Sequence, residues 1–125
     1  MIDFKNGTFV KLKQVSNEDG YKMVQGLLIS DEGILSAYRG IRDYVIFTNK
    51  RVISVNVQGV TGKKRDFTSM PYSKISVYSV ETSGVGDLDS ELDFWYSGLG
   101  HIRFEFTGRS NILEIGRLVA SYALR

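Results

Sequence analysis

The residues with most potential for chemistry are four alternating carboxylates, Asp87, Asp89, Glu91 and Asp93. Such a string could hold a hard cation. A calcium loop of the EF-hand kind needs Gly at its sixth position and a carboxylate at its twelfth. Counted from Asp87 those positions are Leu92 and Gly98, and a strand pattern follows rather than a helix, so no metal site is expected. His101, the only histidine, has no partner at a catalytic spacing, and there is no cysteine nucleophile. No serine sits in a Gly-x-Ser-x-Gly elbow. Gly84-Val85-Gly86 lacks the third glycine of a dinucleotide fingerprint, and Gly62-Lys63-Lys64 only superficially echoes a phosphate loop. The reading is therefore no catalytic residue, no metal and no cofactor.

Charge is distributed unevenly. Between positions 39 and 65 lie Arg39, Arg42, Lys50, Arg51, Lys63, Lys64 and Arg65, opposed only by Asp43. Between 81 and 93 lie Glu81 and the four carboxylates above, with no Lys or Arg. The formal net charge is only +2, too small to point to nucleic acid. The acidic segment argues against it as well.

These groups need a scaffold, and the hydrophobic pattern predicts its parts. The chain of 125 residues is read as one domain. Residues 1–16 look like an arm with one short strand. Residues 17–28 read as a short helix, with Asn17 as cap and Tyr21, Val24, Leu27 and Leu28 on one face. Residues 34–107 then read as seven strands, starting at Ile34, Asp43, Arg51, Arg65, Ile75, Leu92 and Ile102. Ile53, Val55 and Val57 alternate with Ser54 and Asn56, which suggests one wet face. Residues 111–124 form an amphipathic helix, capped by Ser110 or Asn111, with Ile112, Ile115, Leu118, Val119 and Tyr122 as its stripe. Seven short antiparallel strands must pack as two sheets or a partly closed barrel, and the last helix is the natural plug. The fold class is mainly β (α+β). Without cysteines, a leader-like start or a long apolar run, a cytoplasmic protein is expected.

The strings themselves resemble a known family. Asp43-Tyr44-Val45-Ile46-Phe47-Thr48-Asn49-Lys50-Arg51-Val52-Ile53 is similar to the second and third strands of the bacterial pleckstrin-homology-like (PH-like) family, where T-N-x-R marks the turn. Lys63-Lys64-Arg65-Asp66-Phe67 followed by Pro71-Tyr72-Ser73-Lys74-Ile75 resembles its fourth strand and the link to the fifth. The likeness runs from about Glu18 to Leu124. It implies a seven-stranded, strongly bent antiparallel sheet capped by a C-terminal helix, and a tendency to form ring-like homo-oligomers. Lipid-binding members of the wider superfamily carry a long basic loop between strands one and two. Here that connection is the short Arg39-Gly40-Ile41-Arg42.

Three binding readings follow. The first is a homo-oligomer in which basic and acidic regions of successive copies meet, with Trp95, Asp87, Asp89, Glu91 and Asp93 at the contact and other proteins as further partners. Trp95 either faces outward or lies under the terminal helix or the N-terminal segment. The alternative is attraction to an anionic membrane surface through Arg39, Arg42, Lys63, Lys64 and Arg65, which a meander brings to one end. A third is capture of a peptide along an exposed sheet edge.

Overall fold

The period-two runs form strands because their alternate side chains have a core to enter. The computed structural model describes residues 1–5, 7–84, 89–108 and 111–125. In chain order the elements are β1 (Gly7–Val15), α1 (Asn17–Val24), β2 (Ile34–Arg39), β3 (Asp43–Thr48), β4 (Arg51–Gln58), β5 (Lys64–Pro71), β6 (Ile75–Glu81), β7 (Ser90–Tyr96), β8 (Gly100–Phe106) and α2 (Ile112–Ala123). The strands make one curled sheet in the order β5-β4-β3-β2-β1-β8-β7-β6, a half-barrel with α2 across its inner side.

The seven strands expected between residues 34 and 107 are β2 to β8. The eighth, β1, is the strand expected in the N-terminal arm, though at nine residues it is not short, and it alone joins the two halves of the sheet. It pairs antiparallel with β2 and parallel with β8, so the sheet is not wholly antiparallel. The alternation in β1 is broken, which hides its full extent in the sequence. Phe9 and Leu12 are both buried although three residues apart. The ladder shifts between them, and Lys11 takes a left-handed backbone with φ 54°, as a bulge demands.

The inner face holds the main core, including Phe9, Leu12, Phe47, Leu92, Phe94, Phe104 and Phe106. Helix α2 closes it as the sequence predicts. Asn111 is the cap, its Oδ1 accepting from the Glu114 amide at 3.2 Å. Ile112, Ile115 and Val119 enter the core, each burial contributing about 2 kcal/mol. Tyr122 stacks on Tyr72 with centroids 5.1 Å apart.

Helix α1 differs from its sequence reading. Its cap is Ser16, whose Oγ accepts from the Asp19 amide at 3.1 Å; the Asn17 side chain instead donates to the Ile34 carbonyl at 3.3 Å. Tyr21 and Leu27 are exposed, whereas Gly20 and Val24 are buried. The helix lies on the outer face of β2–β4, over Ala37, Ile46, Ile53 and Val55. Gly20 permits this approach, because a Cβ there would stand 2.6 Å from the Ala37 methyl. Strand β4 therefore has no wet face along its middle. Ser54, on the inner side, is fully buried with no hydrogen-bond partner for its hydroxyl.

The T-N-x-R turn has a structural task. Thr48 Oγ1 accepts from the Lys50 and Arg51 amides and donates to Glu32. Asn49 bridges the Gly33 amide and the Asp31 carbonyl. Arg51 reaches both carboxylate oxygens of Glu32 at 2.9 Å and the Leu27 carbonyl at 2.7 Å. Burial pushes the Glu32 carboxyl up, but its hydrogen bonds with Arg51, Thr48 and the Ile29 amide outweigh this and hold it below the usual carboxylate range. The turn thus fastens the 28–33 loop to the sheet, and Arg51 is not free to join a basic patch.

Candidate functional site

Two surfaces collect the residues singled out in the sequence. The first is the outer face of β6, β7 and β8, whose register sets side chains in rows. Val77, Trp95 and His101 form one row, Ser79, Asp93 and Arg103 the next, and Glu81, Glu91 and Glu105 the third.

Leu92, Phe94 and Tyr96 face the core, so Trp95 faces out and is 38% exposed. It stacks on His101 at 4.7 Å with an interplanar angle of 23°. Beside it Val77 is 59% exposed. Asp93 is not available to a partner, since it is buried beneath its neighbours. Its Oδ1 accepts from Arg103 Nε at 2.9 Å and meets His101 Nε2 at 2.6 Å. A carboxylate only accepts, so that His nitrogen is the donor. His101 is therefore not the partnerless side chain that its spacing suggests.

The glutamate row is electrostatically unfavourable. Glu91 stands directly opposite Glu81 on one side and Glu105 on the other, and like charges so placed repel. Burial first, then its contact with Glu81, raises the Glu91 carboxyl above its ordinary range, against the pull of Arg103 3.5 Å away. Asp89 is exposed just before β7, and Asp87 lies outside the described residues. Glu81 belongs to the acidic segment of the sequence, whereas Glu105 joins this surface only through cross-strand register, which nothing local marks.

The second surface is the end formed by the β2–β3 and β4–β5 turns. The Val57 amide donates to the Arg42 carbonyl at 2.9 Å, and Arg42 Nη2 donates to the Gly59 carbonyl at 2.8 Å. The two turns therefore meet, bringing Arg39 and Arg42 to the same end as Lys63, Lys64 and Arg65. All five side chains are exposed. Arg39 lies over the Tyr44 ring at 5.5 Å. Gly59 and Gly62 have φ of 80° and 69°, a backbone suited to glycine in a tight turn. Ile41 and Val60 project from these turns, 71% and 105% exposed. Asp43 and Asp66 lie behind the cations, Asp43 accepting from Asn56 and Asp66 from Thr68 and from the Met1 ammonium, which neutralises it.

Among the described residues no three His, Cys, Asp or Glu side chains are grouped to hold a metal ion, and no helix is long and apolar enough to cross a membrane.

A family model described as bacterial PH domain matches residues 3–123, including β1 and so reaching beyond the Glu18–Leu124 stretch. The chain is 42% identical over 100 residues to the uncharacterized protein YjqA of Bacillus subtilis (strain 168), covering 78% of this chain and 80% of that protein. It is 32% identical over 78 residues to the uncharacterized protein YozO of the same organism, covering 62% and 68%. A DUF1696 family protein with a pleckstrin-homology domain from Shewanella loihica PV-4 superposes with a TM-score of 0.79 at 34% identity, over 91% of this chain and 98% of that one. A pleckstrin homology domain from Shewanella amazonensis SB2B gives 0.67 at 36% identity, over 89% and 90%.

Proposed function

This chain belongs to the bacterial PH domain family, and from that premise we propose that it is a non-enzymatic assembly module whose copies associate head to tail into ring-like homo-oligomers. The outer face of β6–β8 of one copy meets the basic end of the next. The supporting observation is the exposed pair Val77 and Trp95 on the same sheet face as three opposed glutamates, two rows away. Apolar side chains supply the binding energy, with Trp95 as anchor. The Glu81–Glu91–Glu105 row is relieved when cations come from outside. Arg39, Arg42, Lys63, Lys64 and Arg65 of a second copy have the required sign, and charge matching sets orientation more than strength. Such a contact uses two different patches, so repetition yields a closed ring or an open filament. Other proteins with exposed basic segments are candidate partners for the same face. Sedimentation velocity over a concentration series tests the reading. Larger species should appear as concentration rises and shrink with added salt; a monomer throughout would defeat it.

A second reading is favoured by Ile41 and Val60, exposed among the cations of the turn end. An anionic lipid surface would accept both the apolar tips and the charges, each cation contributing about 1 kcal/mol near the membrane. The short β2–β3 turn suits a flat charged surface better than an enclosed headgroup. Liposome sedimentation across a salt series separates the readings. Vesicle binding that survives Trp95→Asp but is lost with Ile41→Asp and Val60→Asp would support the lipid surface.

A further inference from the structure

The half-barrel has a cleft that neither surface uses. It runs between α2 and β2, has a volume of about 480 Å³, and lies in the size range of small-molecule sites. Its lining includes Ser36, Tyr38, Glu114, Arg117, Leu35 and Leu118. Ser36 and Tyr38 are consecutive inward-facing residues of β2, 7% and 4% exposed. The Ser36 hydroxyl makes no hydrogen bond of normal geometry; its polar company is the Tyr38 phenol. A buried hydroxyl left so costs free energy that a ligand could return.

The rim carries one charge of each sign. Glu114 and Arg117 are three residues apart on α2, a spacing that permits an ion pair on a helix. Among the described residues the structure forms none between them, and both side chains are exposed. We propose that this cleft binds a small zwitterion of the amino-acid class. Its ammonium group meets Glu114, its carboxylate meets Arg117, a polar atom reaches the Ser36 and Tyr38 hydroxyls, and its apolar part lies against Leu35 and Leu118. Burial above all, with Glu114 nearby, raises the Tyr38 phenol above its ordinary value despite its neighbour Ser36, so it keeps its proton near neutrality and can donate. The site shares no residue with the two surfaces, so it stands or falls separately from the assembly reading.

The test is an amide-resolved NMR titration of the full chain with each proteinogenic L-amino acid, with butylamine and butyrate as half-molecule probes. At least one amino acid should give saturable shifts at Ser36, Tyr38, Glu114 and Arg117. Glu114→Gln and Arg117→Gln, both at exposed positions, should each weaken that binding about tenfold, since charge-assisted bonds contribute about 1.5 kcal/mol or more. The proposal is overturned if no amino acid gives a saturable response there. It is equally overturned if either half-molecule binds as well as the whole, or if the two variants bind as the parent does.

Discussion

Asp93 and Arg103 face each other across the β7–β8 ladder, the carboxylate buried and the guanidinium Nε 2.9 Å from it. His101 reaches the same carboxylate, and Trp95 stacks on His101. The exposed tryptophan thus rests on a hydrogen-bonded base rather than on a mobile surface. That arrangement suits a preformed contact, because little side-chain freedom remains to be lost on association.

Replacing Asp93 should show how much the base matters. Asp93→Asn keeps the volume and removes the charge between Arg103 and His101. Full breakage of a buried pair costs about 3–5 kcal/mol. Arg103 is 40% exposed and can turn to water, so a loss of about 2 kcal/mol is expected. Urea unfolding at neutral pH measures it.

The glutamate row should be destabilising, so shortening it should help. Glu91→Gln is expected to raise stability by about 0.5 kcal/mol at neutral pH. The pH dependence has a definite sign. The native Glu91 carboxyl is raised, so its contribution is present below about pH 4, the unfolded value, and declines as pH rises through the native one. The gap between variant and parent should therefore close in acid. The same urea series at two pH values reads it.

Glu32 should behave in the opposite way. Its native carboxyl is lowered, so its contribution is present above about pH 4 and disappears as pH falls through the native value. Glu32→Gln leaves Arg51 uncompensated and should cost about 3 kcal/mol at neutral pH. In strong acid the gap between the variant and the parent should narrow. Acid unfolding followed by circular dichroism checks both parts.

At Gly20 two effects compete. Alanine in a helix is favoured over glycine by about 1 kcal/mol. Here its methyl would meet that of Ala37 at 2.6 Å, and overpacking costs about 1–3 kcal/mol. Gly20→Ala should therefore destabilise by up to about 2 kcal/mol. A thermal melt showing a gain would mean that α1 lifts from the sheet freely.

The sequence was informative where one local pattern decides the outcome. Ile102, Phe104 and Phe106 alternate cleanly and form β8; Asn111 precedes a 3.6-residue stripe and caps α2. It was silent where placement depends on distant partners. The bulge at Lys11 scrambles the alternation of β1, and its parallel pairing with β8 joins the two ends of the chain. Gly20, by type a poor helix former, is the contact point with Ala37, which no local pattern shows. The phase of β7 sets Trp95 opposite Leu92, Phe94 and Tyr96, but whether another segment covers it depends on distant packing, and the structure leaves it 38% exposed. Asp93 shares that phase but is buried, because Arg103 and His101 on the neighbouring strand cover it. The convergence of the Arg39–Arg42 and Lys63–Arg65 turns follows from meander topology alone. The charged company of Glu91 does not, since it needs the register of three strands.

The central claim is that two different patches of the chain recognise each other. Light scattering on a mixture of two damaged chains tests it most directly. One carries Trp95→Asp; the other carries Lys63→Glu, Lys64→Glu and Arg65→Glu. Each alone should be monomeric where the parent forms larger species, and the mixture should give one-to-one pairs through the single intact contact. A mixture that stays monomeric while the parent assembles would contradict the head-to-tail contact.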